Sequence, residues 1–311
     1  MLKFYKSINS KLETLKNFEH DCWIELSNPK SDEIHKVSEI TNIDIETLNY
    51  LLDEEEQSRV EVGDDYILVI VDIPLNESSS NSSYYTTVPL GIIITKTNII
   101  TISTVQTDII NGFINGNIKN FNTYEKDDFL LKILLINAKY YLSYLKQISK
   151  RTNQLEREVH KSLKNKELLQ ILELEKSLIY FSTSLKSNEV VLKKIANSSH
   201  IKKYIKDMDL LEDVLIENKQ AVEMAGIYGD ILSRVMDAFS AIIDNNQNSV
   251  MQFLTTITFV LSIPTIISGL FGMNVSGIPF EHNKEGFFLV VIITVIISLI
   301  TSLIMYLKKL F

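Results

Sequence analysis

The sequence predicts an α+β domain, a helical hairpin, one long stalk helix that runs into a membrane, and a second membrane-spanning helix. Three observations carry that reading. Strand-like and short helix-like runs alternate over about the first 120 residues. Helical periodicity takes over from Asp127, and no proline interrupts between Pro89 and Pro264. Two stretches, Val250 to Asn274 and Phe287 to Leu307, contain no charged residue. About 20 residues at roughly 1.5 Å each cross the hydrocarbon layer of a bilayer, so both are long enough to span it.

In chain order, Cys22 to Leu26 is a strand-like run ended by Asn28-Pro29. Ser31 to Ile40 and Asp44 to Leu52 read as short helices. Ser31 and Asp44 are their expected N-caps, because a short oxygen-bearing side chain satisfies the free N–H groups of a first turn. Asp53 to Glu56 is an acidic turn. Arg59 to Val62 alternates like a strand, and Tyr66 to Pro74, apolar and β-branched, reads as a buried one. A polar loop, residues 75–83, leads to two further strands, Thr86 to Thr95 and Asn98 to Ser103. Asp127 to Lys164 then repeats apolar residues at helical spacing, from Leu130 and Leu134 to Leu145 and Ile148. Lys166 to Ser198 does the same after a break at Lys164-Asn165, so the two form a hairpin. A third helical stretch begins near Lys202. Its apolar positions, among them Leu211, Val214, Ala225, Leu232, Val235, Phe239 and Ile242, approach a heptad seam. A single helix from near residue 205 to about Leu270 is on the order of 100 Å long. That length predicts self-association, packing by the preceding hairpin, or both.

The net charge is −8, and the residues from Val250 onward carry +1, which leaves −9 on the first 249. A domain that acidic lacks the basic footprint of a nucleic-acid binder. One cysteine, Cys22, excludes an internal disulfide framework. The first 23 residues hold no continuous apolar core of the kind a cleavable signal needs. Lys308 and Lys309 follow the second span, and the connector between the spans is nearly neutral. By the positive-inside tendency the C-terminus lies inside, and with two spans the N-terminal domain does too. The predicted division is a cytosolic α/β domain at 1–125, a cytosolic helical hairpin at 126–200 and a stalk helix at 201–249. A first span at 250–272, an extracellular loop at 273–285, a second span at 286–307 and a cytosolic basic tail at 308–311 follow.

No catalytic set stands out, so no enzyme activity is expected. The five histidines are scattered, and no dinucleotide fingerprint, phosphate loop or nucleophile elbow occurs. The informative feature is a polar stripe in the first span. Thr255, Thr258, Ser262, Thr265, Gly269 and Gly272 recur at steps of three and four, which places them on one helix face. Small residues at that spacing pack helices tightly. The other reading is a polar pore made by symmetric copies. The stripe is expected to continue the seam of Phe239 and Ile242, so that the seam turns polar on entering the membrane, as a closed ring around one axis would require.

Gly272-Met273-Asn274 ends that span, and a short loop and one more span follow. With SIPTIISGLFGMN and LLDEEEQSRVEVGDDYILVIVDIP, this resembles the CorA family of divalent cation channels over most of the chain. The resemblance implies a funnel-shaped homopentamer in the cell membrane, its pore lined by the first span. Gly272, Met273 and Asn274 would form the selectivity filter for a hydrated ion. Met251, Leu254, Thr258, Ser262 and Thr265 would line the pore, with Met251 and Leu254 at the hydrophobic gate. Asp237, 37 residues before Asn274, matches the family's inter-subunit regulatory aspartate, with Glu77 as its candidate partner. Mg²⁺ would be both cargo and regulator, with no organic cofactor, nucleic acid or partner beyond other copies and the bilayer. Departures from the family pattern are Ser262 where a larger apolar residue is usual, Pro264 one position late, Phe271 for tyrosine, and no acid directly after Asn274, Glu281 being the nearest. A related Zn²⁺, Co²⁺ or Ni²⁺ transporter, with or without proton coupling, is the first alternative. A membrane-anchored coiled-coil structural or sensor protein is the second.

Overall fold

A computed structural model describes residues 1–9, 11–77, 84–161, 165–275, 277–280 and 283–307, and for residues 159–161, 165 and 200 the backbone alone. The expected loop residues 78–83, the break at Lys164, Glu281 and the tail at 308–311 lie outside the described residues. The chain forms two compact units, Met1–Val235 and Met236–Phe311.

The first unit is built on a seven-stranded mixed sheet of β1 (Leu2–Ile8), β2 (Lys11–Leu15), β3 (Trp23–Ser27), β4 (Arg59–Val62), β5 (Tyr66–Asn76), β6 (Tyr85–Thr95) and β7 (Ile99–Ser103). Their order is β2-β1-β3-β7-β6-β5-β4. Only β3 and β7 pair in parallel; the other neighbours are antiparallel. Strand side chains alternate between faces, so a strand that reads apolar throughout must be covered on both sides. β5 meets that condition. Leu68 and Ile70 join Ile93, Ile100 and Ile102 under two short helices, α1 (Ser31–Thr41) and α2 (Ile45–Tyr50). Val69, Val71 and Ile73 join Leu90 and Ile92 under the opposite layer. That layer holds α3 (Asp108–Ile114), α4 (Lys126–Lys161), α5 (Asn165–Asn197) and the one-turn α6 (Ser199–Lys202), with the start of α7 (Met208–Phe271). Each fully buried aliphatic or aromatic side chain contributes about 1.5–3 kcal/mol, so the two apolar layers hold the sheet.

Several elements depart from expectation. β1 and β2 have no strong sequence signature: β2 is a charged edge strand, and β1 carries two lysines among its apolar positions. β1 works because Phe4 and Tyr5 enter opposite cores. α3 and α6 are too short to show periodicity. Asp44 caps α2 as expected, accepting from the Glu46 N–H. Ser31 does not cap α1; it is already helical, and Lys30 holds the cap position with its N–H on Glu33 Oε2 at 2.9 Å.

β4 is shorter than β5 and stops opposite Ile70, which leaves Asp72 beyond its end. Side chains from the helical layer take over there. Asn188 of α5 accepts from the Asp72 N–H and donates to its carbonyl, both at 2.8 Å. Asn137 and Tyr141 of α4 donate to the same carbonyl at 2.9 and 3.2 Å. Ser58 donates to Asn188. Burial pushes the Asp72 carboxyl above the usual range, opposed by hydroxyls of Ser184 and Ser58. This polar patch clamps the hairpin onto the sheet edge. Asn188→Ala strands the buried Asp72 N–H and should cost about 2–3 kcal/mol. Unfolding of the full chain, followed through the single buried Trp23, measures it; a loss below about 0.5 kcal/mol would show that the clamp is dispensable.

Candidate functional site

The second unit holds the end of α7 with α8 (Gly286–Leu307). Both helices are long and apolar enough to cross a membrane. Phe287, Leu299 and Leu307 of α8 and Phe259 and Leu261 of α7 are exposed apolar side chains that a bilayer would cover.

α7 is one continuous helix of 64 residues, so position along the chain fixes azimuth at about 100° per residue. Taking Met251 as zero, Leu254, Thr258, Ser262 and Thr265 lie within an arc of about 80°, from roughly −60° to +20°. The groove between the two helices, about 860 Å³, is lined on α7 by Val260, Pro264, Ser268 and Phe271, on the far side of the helix. Of the stripe, Gly272 lines that groove, and its hydroxyl residues do not pack against α8. Thr258 and Thr265 are exposed and Ser262 is half-exposed.

The expected continuity with the apolar seam fails. Phe239 and Ile242 lie about 120° and 180° from Met251, and steps of seven from them reach Val260 and Thr256, not the stripe. Phe239 and Thr256 are buried at 1% exposure. The heptad step keeps its own face, which is the groove side of the helix. Toward the N-terminus the stripe face continues with Gln247, Asp244 and Ser240, all polar.

Three stripe hydroxyls donate to the carbonyl four residues back: Thr258 to Leu254 at 2.8 Å, Ser262 to Thr258 at 2.7 Å and Thr265 to Leu261 at 2.9 Å. The single O–H proton is thus used within the helix, and the oxygen lone pairs point outward. That is an acceptor surface, suited to the water protons around a cation. Proline has no N–H, so Pro264 leaves the Val260 carbonyl without its helical donor, on the groove side.

α7 ends at Phe271. The Gly272 N–H closes on Ser268 O at 2.9 Å, and Asn274 is exposed beyond it. The connector turns at Gly277 (φ +91°) and Phe280 (φ +68°). Asn283 N–H donates to Phe280 O, and Gly286 N–H to Asn283 O, both at 3.0 Å. A Cβ at Gly286 would sit 2.6 Å from that Phe280 carbonyl. Gly286 thus fixes the return of the chain into α8, a role sequence reasoning missed; a lone glycine opening an apolar helix was its only signal.

Asp237 is exposed on α7 in the second unit. Glu77 is exposed just past β5 in the first, where Tyr84, Glu173, Lys176, Ile179 and Tyr180 line a hollow of about 560 Å³ with it. Among the described residues, no three His, Cys, Asp or Glu side chains within the chain are grouped to hold a metal ion.

Residues 19–309 match the family of CorA-like Mg²⁺ transporter proteins. The chain is 29% identical to the cobalt/magnesium transport protein CorA of Methanocaldococcus jannaschii, over 89% of this chain and 87% of that one. It is 21% identical to the protein of the same description from Thermotoga maritima, over 92% and 82%. The solved complete structure of the CorA magnesium transporter from M. jannaschii superimposes with a TM-score of 0.82 at 26% identity, covering 98% of this chain and 97% of that one.

The azimuths make a labelling prediction. Cys22 is buried, and burial pushes its thiol up, so it stays unreactive. In membranes, Thr258→Cys and Thr265→Cys should react with a water-soluble thiol reagent at least about tenfold faster than Val260→Cys. Equal rates would mean the stripe is not the face that meets water.

Proposed function

We propose that this chain, which belongs to the CorA-like Mg²⁺ transporter family, assembles as a homopentameric channel that admits Mg²⁺, with Co²⁺ or Ni²⁺ as further cargo, down its electrochemical gradient. The observation that carries the proposal is the outward-facing acceptor stripe of α7, which ends at Gly272, Met273 and Asn274. Five copies would turn it toward one axis. Mg²⁺ gives up its water reluctantly, so a ring of Asn274 amide oxygens and Gly272 carbonyls that hydrogen-bonds the water shell suits it better than one that strips it. Met251 and Leu254, both exposed at the inner end of the stripe, serve as the apolar gate. Below them, cytosolic Mg²⁺ bridges Asp237 to an acid of the next subunit, with Glu77 as candidate, and holds the gate shut.

The cytosolic placement of both termini follows from Lys308 and Lys309. The membrane potential then supplies the drive, roughly 2.3 kcal/mol per charge per 100 mV and twice that for a divalent ion. Family membership weighs against the structural-anchor reading, and the cobalt/magnesium description of the two curated relatives weighs against a dedicated Zn²⁺ transporter.

Two measurements in proteoliposomes test this. Asn274→Ala should lower Mg²⁺ entry by at least about tenfold, the equivalent of losing one good hydrogen bond to the water shell; unchanged entry would remove the filter assignment. Asp237→Ala should raise the internal Mg²⁺ concentration needed for half-inhibition by about fivefold or more. If half-inhibition stays where it was, Asp237 is not the regulatory ligand.

A further inference from the structure

The charge distribution along α7 has a feature that the filter, gate and regulatory assignments leave unused. Between Arg234 and Glu281 the only charged residues are Asp237 and Asp244. Both are exposed, and Asp244 has no ion-pair partner among the described residues. Azimuth places Asp244 with the stripe. It lies seven residues before Met251, about 20° round the helix from it and about 10 Å along the axis. Gln247 and Ser240 flank it on the same side, at about −40° and −20°. The opposite side of this segment carries Phe239, Ile242 and Asn246.

We propose that Asp244 is a further conduction-determining residue, a ring of carboxylates at the inner mouth that draws divalent cations through the apolar gate. The inference rests on the pore reading above. A cation crossing the ring of Met251 and Leu254 meets no oxygen ligand there, and the stripe outside it is neutral. The first fixed negative charge it meets on the inner side is Asp244. A potential from aligned carboxylates acts with twice the force on a divalent as on a monovalent ion. It also falls off over a Debye length, about 8 Å at physiological ionic strength and about 30 Å at 0.01 M. The contribution of Asp244 is therefore largest in dilute salt. The heptad spacing from Asp237 does not make the two equivalent, because Asp244 is the nearer to the gate by about two turns.

The test is Mg²⁺ flux into liposomes that contain the full chain, at low and high ionic strength. Asp244→Asn should cut the initial rate by about threefold to tenfold in dilute salt, within the range expected for electrostatic steering, and by less than twofold at high salt. Asp244→Glu should keep most of the rate. The deciding variant carries both Asp244→Asn and Asn246→Asp, which keeps net charge and composition but moves the carboxylate about 160° round the helix. It should remain as slow as Asp244→Asn. Full recovery in that variant would overturn the proposal, since the charge alone and not its face would then matter. Equal rates for wild type and Asp244→Asn in dilute salt would also overturn it, while leaving the channel reading intact. A wild-type chain that passes no divalent ion under any condition removes the channel reading, and this inference with it.

Discussion

Everything in the candidate site depends on the backbone hydrogen-bond ladder of α7, continuous but for Pro264. In hydrocarbon each unpaired N–H or carbonyl costs several kcal/mol, so a spanning segment must be helical throughout. Within α7 that ladder ties each side chain to its azimuth. A side chain cannot leave its face without breaking that ladder. The chain accepts one departure, at Pro264, and places it on the groove side, away from the stripe. The line from Ser240 through Thr265, polar but for Met251 and Leu254, is therefore a single physical object, although its residues are spread over 26 positions.

The sheet serves that object indirectly. Its two apolar layers are closed by α1 and α2 on one face and by α4 and α5 on the other. Leu211 and Val214, near the start of α7, belong to the second layer. The helix is thus seated by burial at its N-terminal end. The Asp72 clamp does related work, since it ties α4 and α5 to the one sheet edge that β4 leaves open. Three side-chain donors on one carbonyl are an unusual concentration of polarity next to such a core. The patch is tolerable because nearly every buried polar atom in it has a partner; the Asn137 carbonyl oxygen is the exception.

Much of the fold was legible in the sequence, and the reasons are particular. β5 and β6 show themselves because burial on both faces demands an uninterrupted apolar run. α4, α5 and α8 show themselves by length, which lets periodicity or hydropathy accumulate. β2 does not, because an edge strand protects itself with charge and so looks like a loop. The stripe in the span was legible as spacing, but its relation to the seam of Phe239 and Ile242 was not. Heptad counting compares residues at multiples of seven, and neither position is a multiple of seven from Met251. Only the continuous helix, at 3.6 residues per turn, shows that the two lines lie on opposite sides. Gly286 was illegible for a different reason: its constraint comes from the Phe280 carbonyl, a backbone atom that no side-chain pattern records.

The opposite placement of seam and stripe changes how the pore reading is supported. A stripe that merely continued a coiled-coil seam would need only the sequence-wide tendency of helices to pair. A stripe that faces away from the groove, with its hydroxyl protons already spent on carbonyls four residues back, has nothing within its own chain to satisfy it. Its oxygens accept hydrogen bonds and have no proton left to give. Lipid cannot supply donors, and a neighbouring stripe of the same kind cannot either. Water can, and so can the hydration shell of a cation. The chemistry of the face thus favours one partner: copies gathered round an aqueous axis pair these acceptors with water, whereas copies packed stripe to stripe would have to give up back-bonds to pair them. Conduction follows from the same weakness. A row of neutral acceptors holds a hydrated ion well enough to admit it and loosely enough to release it.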